Sequence, residues 1–217
     1  MSGKRLTVAL ALLSLALPAA SASAQPIAIT NPSFEADPLA ENGFLFTASG
    51  WTTTPFAGAF NPTAAAFPGG APDGQNVLFS SGGSATQTLS AVLLANTTYT
   101  LSYYVGQRAD GLGFSPYLVE LLAGGSTLAS DGSLLPPPGT FLPGTVIFAT
   151  GAANPLLGQS LGIRLSASGD QPQFDNISLV ASTLGTPPPT TVPEPATVGL
   201  MAAGLLALGA MARRKSA

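Results

Sequence analysis

The 217-residue chain contains no cysteine and no histidine, and only 8% of its residues are charged. Without thiols there is no disulfide framework and no cysteine-based zinc site. Without imidazole, the usual general base, proton shuttle and metal ligand near neutral pH is missing. Mechanisms built on a histidine are excluded, and the chain reads as a non-enzymatic protein. The segment Gly158-Gln159-Ser160-Leu161-Gly162 matches the nucleophile-elbow pattern letter by letter. Its serine has no histidine to activate it, however, and it precedes a strand instead of joining strand to helix. The acidic residues offer no motif that selects a pair for glycoside hydrolysis.

The two ends differ from the body. Met1 to Ala24 carries Lys4 and Arg5, then an uncharged run from Leu6 to Leu17, then Ala22-Ser23-Ala24. That is the pattern of a secretory signal peptide cleaved after Ala24, because the apolar run falls short of the roughly 20 residues of a membrane span. The alternative is an uncleaved anchor helix. At the other end, residues 196–212 are uncharged and rich in Ala, Leu, Gly and Met, and Arg213, Arg214 and Lys215 follow at once. The spacing predicts a transmembrane helix of about 25 Å with a cytoplasmic basic stop, which leaves the body outside the inner membrane. Residues 183–192 form a Pro/Thr-rich linker favouring extended geometry.

Directly before the apolar run stands Pro193-Glu194-Pro195. Pro-Glu-Pro, a short apolar helix and a basic terminus in that order resemble the PEP-CTERM sorting signal, also catalogued as an ice-binding-protein C-terminal segment. The resemblance implies recognition of residues 193–217 by an exosortase-type sorting enzyme. It also implies export to the surface or extracellular matrix of an exopolysaccharide-producing Gram-negative bacterium. It covers the sorting segment alone and leaves open whether the tail is cleaved.

Once the ends are set aside, the body holds Arg108 and Arg164 against nine acids, a net charge of −7. Nucleic acid is excluded as a partner, because binding phosphate needs clustered Lys and Arg. Within residues 25–182 short runs alternate between apolar and polar. Tyr99, Leu101, Tyr103 and Val105 alternate with Thr98, Thr100, Ser102 and Tyr104, the period of a half-buried strand. Further predicted strands are Val77–Ser80, Ala85–Leu89, Tyr117–Leu122, Thr145–Thr150, Leu161–Ala167 and Phe174–Val180, with a hairpin turn at Gly124-Gly125. In the last strand Phe174, Asn176 and Leu179 do not fit one face, which predicts a bulge. No helical period persists, so the body is read as an all-β antiparallel sandwich of jelly-roll type.

Four pieces carry a second resemblance: Asn31-Pro32-Ser33-Phe34-Glu35, Gly50-Trp51, Thr97 to Ser102, and Phe174 to Leu179. In this order they resemble galactose-binding-like and carbohydrate-binding-module jelly rolls. In those folds acidic residues at the positions of Glu35 and Asp175 often hold a structural Ca²⁺, and calcium's 6 to 8 oxygens could come from two carboxylates, turn carbonyls and water. The alternative is that both merely cap turns or face solvent. Trp51, Tyr104, Gln107 and Arg108 are the candidate sugar-binding face, a stacking surface with a polar rim. The alternative is that Trp51 is core and Tyr104 contacts the second sheet. Two functions remain open: a carbohydrate-binding module for exopolysaccharide, or a passive structural surface or matrix protein with no specific small-molecule ligand.

Overall fold

A computed structural model of the chain describes residues 23–183. The expected signal peptide up to residue 22, the expected linker beyond Thr183, the sorting residues and the predicted C-terminal helix lie outside the described residues. Among the described residues no helix is long and apolar enough to cross a membrane.

Among the described residues eleven strands form two antiparallel sheets. They are β1 (Ser23–Ile27), β2 (Thr52–Thr53), β3 (Ala57–Phe60), β4 (Val77–Ser80), β5 (Ser84–Val92), β6 (Thr97–Gln107), β7 (Tyr117–Ala123), β8 (Ser126–Asp131), β9 (Thr140–Ala149), β10 (Ser160–Ala167) and β11 (Gln173–Thr183). One sheet runs β3-β4-β11-β6-β9 with β1 also on β11, and the other runs β2-β5-β10-β7-β8. The all-β antiparallel sandwich expected from the alternation is the architecture observed.

Inward positions of both sheets meet in one core. Tyr99, Leu101, Tyr103 and Val105 of β6 are buried as their period requires, facing Val119 and Leu121 of β7 and Leu161, Ile163 and Leu165 of β10. Gly124 and Gly125 both have positive φ between β7 and β8, the geometry of a tight hairpin. β9 starts five residues earlier than predicted and contains Pro143, whose missing N–H is tolerated because β9 is an edge strand. β1, β2 and β3 escaped prediction because they are short or built from small and polar residues, while β8 was implied only as the second arm of the hairpin at Gly124-Gly125.

β11 positions the features that matter most. Its full length pairs with β6, while its other edge is shared: β4 takes Gln173 and Phe174, and β1 takes Leu179 to Thr183. The register shifts between Asp175 and Ser178, so the predicted bulge is present, with Asn176 at φ 50°. The bulge exposes Asn176 and returns Ile177 and Leu179 to the core beside Phe174.

Candidate functional site

On the outer face of the β3–β4 edge, strict alternation turns Phe60, Val77 and Phe79 away from the main core into a second apolar cluster. A strap of residues 42–47 runs along the free edge of β3. Leu45 N donates to Ala59 O at 2.9 Å, Ala59 N to Thr47 O at 3.0 Å, and Asn61 N to Gly43 O at 3.0 Å. The strap lies so close that a Cβ on Gly58 would collide with the Leu45 carbonyl. Pairing in this way covers an edge that would otherwise be open.

The strap brings Phe44 and Phe46 over Phe79, with ring centroids 6.2 and 5.8 Å away, and Phe56 stands edge-on to Phe46 at 6.2 Å. Phe56 holds a left-handed backbone at φ 70°, an uncommon conformation for a bulky residue. Between these rings lies a cavity of about 360 Å³ lined by the four phenylalanines, Phe60 and Leu112, with Asn42, Ser81, Arg108 and Gln171 as its polar groups. Phe44, Phe46 and Phe56 are 53%, 52% and 60% exposed, an apolar surface that a folded domain seldom leaves open without a use.

Arg108 follows the end of β6 and closes the polar side. Its guanidinium carbon sits 4.7 Å from the Phe60 ring centroid. Nε donates to Asp110 Oδ1 at 2.9 Å, Nη2 to Asp110 Oδ2, and Nη1 to Gln171 Oε1 at 2.9 Å. The guanidinium holds the Asp110 carboxyl below its ordinary range.

A second cluster surrounds the β11 bulge. Asp175 is fully buried; Oδ2 accepts from Asp73 N at 2.8 Å and Oδ1 from Asn176 N at 2.7 Å. Burial raises its carboxyl to about 7, against the pull of those two N–H groups, and the neighbouring Asp73 and Glu35 charges raise it further. Exposed Glu35 accepts from Gln75 N at 2.8 Å and Asn76 N at 2.5 Å. Gly74, at φ +69°, leaves the space that the Glu35 side chain fills. Both predicted carboxylates therefore hold the same loop, and Asp73, which accepts from Ser33 Oγ at 2.6 Å, joins them. Asn76 Oδ1 is buried with no partner, while its Nδ2 donates to the Phe34 and Asp37 carbonyls. Among the described residues no three acidic side chains form a metal cage by themselves.

The four residues expected to form a sugar-binding face are not brought together. Trp51 is 7% exposed, packs 5.5 Å from Phe34 and donates Nε1–H to Asn31 O at 3.1 Å. Tyr104 lines a separate depression with Pro68, Pro138 and Phe141. Gln107 ends β6 with its carbonyl accepting from Gly139 N at 2.7 Å, and Arg108 alone reaches the aromatic cavity. The sequence reading missed the phenylalanines. A signal was there, since the chain has eleven Phe against one Trp and carries Phe44 and Phe46 two apart in a stretch without strand period.

The comparisons with known proteins bear on both the tail and the body. The PEP-CTERM protein-sorting motif matches residues 191–215, as the tail predicted. It marks the chain for export and for processing by an exosortase. No curated protein matches the chain. A cyclase from Fischerella sp. TAU is similar at 33% identity and TM-score 0.67, over 76% of this chain and 100% of that one. The Stig cyclase Fisc of the same organism, solved with (3Z)-3-(1-methyl-2-pyrrolidinylidene)-3H-indole, is 33% identical with TM-score 0.66, over 73% of this chain and 98% of that one. The expected likeness to carbohydrate-binding modules is present more distantly. TmCBM61 with β-1,4-galactotriose aligns at 12% identity and TM-score 0.47, over 70% of this chain and 97% of that one, and that likeness assigns no function. The expectation of a non-enzymatic protein is overturned, because the body matches a model of cyclases. The absence of histidine excluded imidazole chemistry, and a cavity built from phenylalanine was never subject to that exclusion. With the HpiC1 cyclase model matching residues 25–180, the chain belongs to the HpiC1-like family.

Proposed function

We propose that this exported protein binds a flat, apolar, indole-sized molecule in the phenylalanine cavity and promotes ring closure on it. The observation that carries the reading is the cavity itself, an apolar recess rimmed by exposed phenylalanines with its few polar groups on one side. Its volume of about 360 Å³ suits a bicyclic aromatic with a short chain. A related cyclase from Fischerella sp. TAU, 32% identical, was solved with 4-(1H-indol-3-yl)butan-2-one, which supports that class. The walls would contribute by folding a flexible chain against its own ring, so that the reacting atoms meet without a search. Phenyl faces also stabilise positive charge that develops as a ring closes. Neither contribution needs imidazole or thiol.

Titration calorimetry with 4-(1H-indol-3-yl)butan-2-one tests the reading. Binding is expected, and Phe46→Ala should weaken it about tenfold with little change in melting temperature, since that ring is half exposed. Absence of binding by this and other short-chain indoles would remove the proposal.

The finer parts of the export reading belong here too. Residues 196–212 are proposed to anchor the chain in the inner membrane until the exosortase acts, after which the domain resides at the surface or in the exopolysaccharide matrix. Exopolysaccharide is then a neighbour of the domain, since the buried Trp51 has no free face to offer a sugar ring. The passive structural alternative leaves the rimmed cavity unexplained.

Calcium is proposed at the β11 bulge. The buried orphan oxygen of Asn76 supports it, as does the mutual repulsion of Asp175, Asp73 and Glu35. Neither body arginine relieves that repulsion, since they pair with Asp110 and Glu120. Glu35 and Asp175, with Asn76 Oδ1, turn carbonyls and water, would hold the ion, which supplies structural cross-linking of the loop to β11.

A further inference from the structure

Resting on the reading of the cavity as an indole-type site, we infer that its ligand carries an uncharged hydrogen-bond acceptor, that Arg108 is the residue that takes it, and that Asp110 makes the site refuse acids. Arg108 has five N–H groups. Three are committed: Nε and one on Nη2 to Asp110, and one on Nη1 to Gln171. One N–H remains on each terminal nitrogen of a side chain that is 11% exposed and lines the cavity. A guanidinium presenting two N–H groups beside an apolar recess is a receptor for a carbonyl or imine.

Charge balance decides which acceptor fits. Asp110 already neutralises the guanidinium, so a carboxylate entering the recess meets a pair with no net charge. It must also shed its own hydration, a large cost for an ion leaving water without a full counter-charge. The field of the body, net −7, adds to the penalty. A ketone or imine carries no such cost and still gains the two donors. Asp110 lies in an exposed loop beside Gly111 at φ +88°, and Arg108 is the main group that holds its carboxylate, ahead of the backbone N–H groups of Asp110 and Leu112. Gln171 and the Phe60 face fix the guanidinium plane from the other sides, which gives the donors a set direction.

The experiment compares three ligands of one shape on the full protein by titration calorimetry: 4-(1H-indol-3-yl)butan-2-one, 3-butylindole and 4-(1H-indol-3-yl)butanoic acid. For the wild type the ketone should bind about tenfold tighter than butylindole, and the acid at pH 8 should bind weakest. Arg108→Gln should erase the ketone's advantage while leaving butylindole affinity within about twofold. Asp110→Asn should raise affinity for the acid at least tenfold and change the ketone by less than threefold. Melting curves of both variants confirm that each is folded before its binding is read. A wild type that binds the acid most tightly, or the ketone no better than butylindole, overturns the inference while the cavity reading stands. If none of the three binds, the cavity reading fails and takes this inference with it.

Discussion

Asp175 carries opposite consequences for stability depending on what shares its site. Its carboxyl is raised to about 7, chiefly by burial. A carboxyl with a raised folded pKa keeps its proton in the folded protein at pH values where the unfolded chain has lost it. Stability therefore falls as pH climbs from the ordinary carboxylate range to about 7 and levels off above. In chelator, the melting temperature should be higher at pH 5 than at pH 8, and Asp175→Asn should flatten that dependence. If calcium occupies the bulge, millimolar Ca²⁺ should restore the loss at pH 8 by binding only the folded state, and Glu35→Gln should reduce that gain. Identical melting curves in calcium and chelator at pH 8 would dispose of the ion. Trp51 gives a second test. Truncation to Ala in the core beside Phe34 should cost about 3–5 kcal/mol in urea unfolding. A loss under 1 kcal/mol would mean that the ring is not packed as described.

The strap and the paired strands β7 and β10 show which elements could be read from sequence. β6, β10 and β11 were legible because each alternates over several residues, β7 because it is a short, nearly continuous apolar run, and the β11 bulge because its alternation breaks. β3 is Ala57-Gly58-Ala59-Phe60, buried on both faces once the strap lies beside it, so it has no alternation to detect. The cavity was illegible for the same reason: Phe44 and Phe46 belong to a segment whose place is fixed by the edge of β3 and by no local period. Gly58→Ala should force the strap off that edge and abolish indole binding while costing only a modest part of stability, because the main core lies on the other face. Retained affinity would show that the strap does not shape the cavity. On the other sheet, Glu120 and Arg164 face each other in register, with Nε donating to Oε2 at 2.5 Å and Nη2 to Oε1 at 2.7 Å, and Thr127 Oγ donates to Oε1 at 2.8 Å. Arg164 holds the Glu120 carboxyl below its ordinary range. The stability this supplies is present above that range and is lost as pH falls through the lowered folded value. Glu120→Gln should cost about 1–2 kcal/mol at pH 7, discounted because Arg164 is more than a third exposed, and should leave a smaller difference at pH 3. An equal difference at both pH values would deny the pair its role.

At the scale of the whole molecule, the domain and its address are separable. The sorting motif occupies residues 191–215 and the cyclase-family match stops at 180, so neither sequence borrows residues from the other. Thr183 ends β11 at the end opposite Gln173, the residue paired with Phe79 at the cavity. Every residue that lines the cavity precedes Thr183 and lies outside the sorting motif. At the other terminus, signal-peptide cleavage after Ala24 would take Ser23 and Ala24 from the β1–β11 ladder and keep the pairs of Gln25, Pro26 and Ile27 with Ala181, Val180 and Leu179. The shortened strand keeps three pairs and the packing of Ile27 on the core. The protein recovered from the surface of a host with an exosortase should thus begin at Gln25, end near Pro193, and bind 4-(1H-indol-3-yl)butan-2-one with the affinity of the full chain. Intact-mass spectrometry reads both ends, and calorimetry on the same sample reads the site. A secreted form that still contains Arg213 would refute the processing, and a correctly processed form with lost affinity would refute the separation of domain from address.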